Sequence, residues 1–130
     1  MKIILTPQES EEYFYNALCN GLGYVESGYG LELNYSKKYY KSAVESLQAL
    51  NPDAQICYEE VLMQILRDGG ALNLYDENDE EEYVIRLADV HERVANTPIE
   101  HLMDMIGERD DAITADVIIQ QVFLNDVIFG

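Results

Sequence analysis

Positive charge is scarce in this sequence. Eight Lys and Arg stand against 25 Asp and Glu, a formal charge of −17 over 130 residues. A surface this acidic repels nucleic-acid phosphates and anionic lipid, so neither nucleic acid nor a membrane is expected as a direct partner. It attracts basic surfaces, and a basic partner or divalent cations would relieve its self-repulsion. Solubility alone, in a domain with no partner, is the other consequence of such a composition.

Cysteine is also sparse. Cys19 and Cys57 have no CxxC spacing and no His neighbour, which argues against structural zinc. Both fall in apolar helical patterns, where a free thiol packs as a small hydrophobe. A reducing, cytoplasmic compartment fits that usage. Long apolar runs are missing as well: nothing approaches the roughly 18 residues of a membrane span. The run Ile3, Ile4 and Leu5 after Lys2 is too short for a signal peptide.

Catalytic and cofactor signatures are wanting too. There is no GxSxG elbow, no HExxH and no phosphate loop. Gly21-x-Gly23 and Gly28-x-Gly30 lack the GxGxxG spacing and follow no apolar strand. Among 25 carboxylates nothing singles out an acid/base pair. The expectation is a protein that is not an enzyme and uses no cofactor or metal.

What is present is an ordinary globular share of apolar residues, 48%. At this length one domain spanning 1–130 can bury roughly two-thirds of its unfolded surface, so the charge decorates a folded body. Lys2 to Leu5 reads as a short strand or extended lead-in. Thr6-Pro7-Gln8-Glu9 is a capping box with proline at the first helical position. Phe14, Ala17, Leu18 and Leu22 give the apolar face of that helix, and Gly21 and Gly23 are expected to end it. Leu31 and Leu33 alternate with Glu32 and Asn34 as in a half-buried strand. Ser36 caps a helix to about Leu50 with Tyr40, Val44 and Leu47 on one face, and Asn51-Pro52-Asp53 breaks it.

Tyr58, Val61, Leu62, Ile65 and Leu66 follow the helical template closely. Two strands joined by an acidic tip are expected over Leu72 to Leu87. A short helix follows from Leu87 to Ala95. Thr97-Pro98-Ile99-Glu100 repeats the capping signature before a stripe of Ile99, Leu102, Met103 and Ile106. The last helix, with Ile113, Val117, Ile118, Ile119, Val122, Phe123 and Leu124, is apolar around most of its circumference. It reads as the central buried helix or as part of a homodimer contact. Val127 to Phe129 reads as a terminal strand. The mixed order of elements points to an α+β fold, about five helices packed on a small antiparallel sheet that includes the 72–87 hairpin.

Two segments stand out as candidate sites. The first is the hairpin tip, with Asp76, Glu77, Asp79, Glu80, Glu81 and Glu82 as the residues that would meet a basic partner. Asp76 and Asn78 match the first and third positions of a calcium loop, but Glu80, Glu81 and Leu87 break the pattern. The second is the stretch 24–41. Eight of the thirteen Phe and Tyr residues lie between Tyr13 and Tyr40, among four glycines and beside three of the four lysines. Tyr24, Tyr29 and Tyr35 could stack on a small, nucleotide-like anion held by Lys37, Lys38 and Lys41. His91 and His101 lie near Asp89, Glu92, Glu100 and Asp104, but their spacing matches no metal signature. The leading expectation is a non-enzymatic acidic interaction protein docking on a basic surface. An inhibitor mimicking nucleic-acid charge, of phage or mobile-element kind, is one form of it; an anion-binding module is the alternative.

Overall fold

Thr6 opens the first helix as its sequence implies. In this computed structural model, which describes residues 3–129, the Thr6 N–H donates to Glu9 Oε1 at 2.9 Å. The Glu9 N–H returns the bond to Thr6 Oγ1 at 3.1 Å. The helix does not stop at the glycines. α1 runs Pro7–Tyr29 and ends only at Gly30, in the left-handed conformation at φ 68°, with its N–H on the Glu26 carbonyl. Gly21 and Gly23 are therefore helix-interior residues, because the last helix lies directly against Gly21. A Cβ placed there would sit 2.7 Å from the Ala115 side chain. That packing outweighs the roughly 1 kcal/mol helix penalty of glycine. Ile3–Leu5 form no strand, and Lys2 lies outside the described residues.

The sheet has three antiparallel strands in the order β1 (Leu31–Tyr35), β2 (Leu72–Asp76) and β3 (Glu81–Ile85). Each cross-strand row places one residue from each strand on the same face. Leu33–Leu74–Tyr83 and Tyr35–Leu72–Ile85 face inward, and Glu32–Tyr75–Glu82 and Asn34–Asn73–Val84 face outward. The inward leucines and Ile85 are buried, whereas Glu32, Asn34, Glu82 and Val84 are exposed. The period-two alternation of the sequence thus reports one covered and one open face. Leu87, expected at the end of the hairpin, is already the first residue of α4.

α2 (Lys37–Leu50) starts at a Ser36 cap and lies at the periphery, with Ala43 its one buried residue. It packs on α3 (Tyr58–Arg67), whose Val61, Leu62, Met63, Ile65 and Leu66 all enter the core. α4 (Leu87–Arg93) and a 3₁₀ turn at Val94–Asn96 follow the sheet. α5 (Ile99–Ile106) departs from the expected capping. Pro98 is extended at ψ 135°, which leaves Thr97 outside the helix with a buried hydroxyl lacking a partner. The stripe on α5 is also split. Leu102 and Met105 are buried, while Ile99, Met103 and Ile106 are exposed.

α6 (Ala112–Leu124) is the central helix. Every residue from Thr114 to Phe123 is buried, and its most extensive contact is with α1. From Thr114 to Phe123 its apolar circumference is thus covered within one chain, while Ile113 in its first turn is exposed. Its N-cap Asp111 accepts the Thr114 N–H at 2.9 Å. The segment after it is not a strand. Ile128 and Phe129 donate their N–H groups to Gln120 Oε1 at 2.9 and 2.8 Å, and Gln120 Nε2 returns a bond to the Phe129 carbonyl. A buried side chain thus does the work a partner strand would do.

Candidate functional site

The open sheet face is polarised along its strands. At one end lies the hairpin tip. Asp76 is 3% exposed and is the internal cap of the turn, with Oδ1 accepting the Asn78 N–H at 2.9 Å and the Asp79 N–H at 3.4 Å. Glu80 adopts a left-handed φ of 55° to close the turn. Glu77, Asp79, Glu80, Glu81 and Glu82 are exposed, and none enters an ion pair among the described residues. Glu32 extends this acidic end across the face in a row with Tyr75 and Glu82. Of the six tip residues, then, five point their charge outward and one holds the turn.

The segment 24–41 is divided by β1. Tyr24 and Tyr29 lie before the strand and Tyr35 with the lysines after its start, roughly 13 Å of strand apart. Tyr29 is half-buried against the core. Its ring stacks on Phe129 at 4.7 Å and meets Tyr24 edge-on at 5.9 Å. Its hydroxyl donates to Asp116 Oδ2. Burial, then the Asp116 carboxylate, push the Tyr29 hydroxyl well above its ordinary pKa. The buried Asp116 carboxylate also accepts from Gln120 Nε2 at 2.8 Å. Tyr35 stacks on Tyr40 at 5.2 Å, with Tyr58 completing a three-ring cluster. Burial, then the Tyr35 hydroxyl, raise the Tyr58 pKa. Lys37, Lys38 and Lys41 are exposed on the first two turns of α2.

The histidines separate. His91 Nε2 lies 2.9 Å from Glu11 Oε2, and Glu11 Oε1 accepts from Arg67 Nε at 2.8 Å. One carboxylate thereby ties α1 to α3 and α4. Burial raises its pKa, but Arg67 and His91 outweigh that and hold the carboxyl below the ordinary glutamate value. His101 lies on α5 with a buried Nδ1 that has no partner. Among the described residues no group of three His, Cys, Asp or Glu side chains is placed to hold a metal ion.

The cysteines do not pack as expected. Cys19 is exposed, and Cys57 occupies the position preceding α3, where its Sγ lies 3.4 Å from the Tyr15 hydroxyl and from Glu60 Oε1.

The sequence reading missed Arg86 and Asn73. Both line a cleft of about 420 Å³ at the end of the open sheet face opposite the tip, with Asn34, Ser36, Tyr39 and Val84. Arg86 lies some 45 residues from the lysines, and only the β1–β2–β3 pairing brings it beside Ser36. The signal that existed was weak: a lone basic residue closing an acidic hairpin.

Comparison with protein-family models, with curated proteins and with solved structures finds no match to this chain. The fold defines its class as α+β, and any functional reading rests on the geometry of the open sheet face.

Proposed function

We propose that this chain is a non-enzymatic interaction protein of the cytoplasm that docks its acidic hairpin tip on a basic protein surface. The observation that carries the reading is the state of the tip. Five exposed carboxylates have no ion-pair partner among the described residues, and the buried Asp76 cap accepts two N–H groups of their turn. Charges presented on an ordered turn avoid the ordering cost that a flexible acidic tail meets on binding. Unpaired carboxylates facing solvent also lose little on meeting Lys or Arg, because they abandon no internal partner. Where the partner's basic surface normally holds nucleic acid, the carboxylates stand in for phosphates. Small acidic inhibitors of phage and mobile elements would use such a surface.

The test begins with capture from the native cell at low salt, followed by titration of the purified partner. Affinity is expected to fall steeply between about 50 and 200 mM salt. It should also fall when Glu77, Asp79, Glu80, Glu81 and Glu82 are changed to their amides. Unchanged affinity in that variant would remove the tip from the reading.

A further inference from the structure

We infer that the cleft at the basic end of the open sheet face binds a small organic phosphate of mononucleotide size. The first observation is where unpaired positive charge lies. Arg67, Arg93 and Arg109 are neutralised by Glu11, Asp89 and Asp104 at 2.8, 3.4 and 3.7 Å. The described cations without an ion pair are Lys37, Lys38, Lys41 and Arg86. With 25 carboxylates in the chain, three unpaired cations, Arg86, Lys37 and Lys38, lining one cleft and the hollows beside it are not what charge neutralisation alone would produce.

The second observation is a cleft lined by Arg86, with Lys37 and Lys38 in hollows beside it. The 420 Å³ cleft has Arg86 on one side and Ser36 with Tyr39 on the other. Adjoining hollows of about 310 and 250 Å³ carry Lys37 and Lys38 and share Tyr35 and Tyr39 with the cleft. Its size falls within the range of small-ligand sites, roughly 300–1,000 Å³. Arg86 is held in place, since its Nη1 donates to the Gly69 carbonyl at 2.8 Å. Its other guanidinium N–H groups have no hydrogen-bond partner among the described residues. Tyr39 is wedged against Gly70, where a Cβ would lie 2.9 Å from the ring, yet it remains 40% exposed and offers a flat apolar face.

The third observation is an orphan. Asn73 lines this cleft, and its Oδ1 is buried with no hydrogen-bond partner among the described residues. Buried side-chain acceptors are normally paired, and a turn of the Asn73 amide toward the cleft would let a ligand N–H or O–H pair this one.

Together these features specify the ligand. Arg86, Lys37 and Lys38 select a phosphate, which a guanidinium fork and ammonium groups recognise well. Asn73 asks for an N–H or O–H donor, and Tyr39 for a planar group. A nucleoside monophosphate or similar aryl phosphate carries all three. A nucleic-acid strand does not fit, because Glu32 and Glu82 stand one outward row further along the same face, roughly 7 Å away, and would oppose the next phosphates. Asp89, the nearest carboxylate on α4, is already engaged by the Arg86 N–H and by Arg93.

The test is an NMR titration of the isotopically labelled full chain with adenosine monophosphate, a non-adenine nucleotide and inorganic phosphate. Saturable shifts centred on Asn34, Ser36, Tyr39, Asn73 and Val84 are expected, with a Kd below about 1 mM for a nucleotide. Arg86→Gln should weaken binding about tenfold. The double variant Lys37→Gln and Lys38→Gln, at exposed positions that leave the fold intact, should weaken it several-fold. Asn73→Leu should narrow the difference between nucleotide and inorganic phosphate. The inference is overturned by the absence of saturable shifts at about 5 mM ligand, by shifts centred elsewhere, by equal affinity for inorganic phosphate, or by an unaffected double lysine variant. None of these variants touches the hairpin tip, so failure here leaves the docking reading standing.

Discussion

Gly21 of α1 and Ala115 of α6 touch so closely that a methyl group on Gly21 would stand 2.7 Å from the Ala115 Cβ and 3.1 Å from the Asp116 nitrogen. Gly23, one half-turn on, has nothing within 4 Å of its missing Cβ. Two glycines in the same helix should therefore respond to alanine with opposite signs. Gly21→Ala is expected to destabilise by about 1–3 kcal/mol through overpacking. Gly23→Ala should stabilise by about 0.5–1 kcal/mol, because it restricts the unfolded chain and suits the helix. Urea unfolding of the two variants compares them directly, and a destabilised Gly23→Ala would contradict the helix running through this point.

Glu11 predicts a pH dependence. Its carboxyl is held below the ordinary glutamate value, so the stabilisation it contributes is fully present above the unfolded pKa, near 4.3. It is lost as pH falls through the lower folded value. Glu11→Gln removes the charge and leaves one acceptor oxygen for Arg67 and His91 in place of two, and should cost about 1–2 kcal/mol at neutral pH, discounted for the exposure of Arg67. The gap between variant and wild type should narrow in acid. A gap constant from pH 7 to pH 3 in thermal unfolding would show that the carboxylate charge contributes nothing.

At the hairpin tip the six acids should divide. Asp76→Ala removes the acceptor of two turn N–H groups and should cost about 1 kcal/mol. Glu77→Gln should be neutral or slightly stabilising, since it relieves like-charge repulsion and breaks no bond. Glu80→Gly should also stabilise, because glycine accepts φ 55° without strain. Chemical denaturation midpoints separate the three.

Tyr29→Phe tests the interior assignment of a residue the sequence offers as a ligand contact. Removing the hydroxyl leaves the buried Asp116 carboxylate with Gln120 as its side-chain partner, at a cost of about 1–3 kcal/mol. Because Gln120 also holds Ile128 and Phe129, amide exchange at those two positions should accelerate. Loss of stability without faster exchange would uncouple the clamp from the carboxylate.

The α+β class, the hairpin and most helix starts were legible because they depend on neighbours in the chain. Thr6 with Glu9, Ser36, and the alternation of Leu31, Leu33, Leu72 and Leu74 act over two to four residues. The reading failed where a distant element decided the outcome. Gly21 and Gly23 have the local chemistry of a helix stop, yet the contact with Ala115 carries the helix through them. Val127 to Phe129 has the composition of a strand, yet Gln120 satisfies its backbone. Thr97 has the identity of a cap, yet the extended Pro98 removes it from reach.

The same division holds for function. By itself the sequence determined that the chain is strongly acidic, that six carboxylates crowd one turn, and that three of four lysines sit beside a tyrosine-rich stretch. These are properties of composition and short spacing. Only the tertiary structure decided that Asp76 turns inward while its five neighbours face outward, since that depends on the turn closing over the carboxylate. It also parted Tyr24 and Tyr29 from Tyr35, because β1 runs between them. And it set Arg86 and Asn73 beside Ser36 and Tyr39, because strand pairing brings together residues that lie tens of positions apart in the chain.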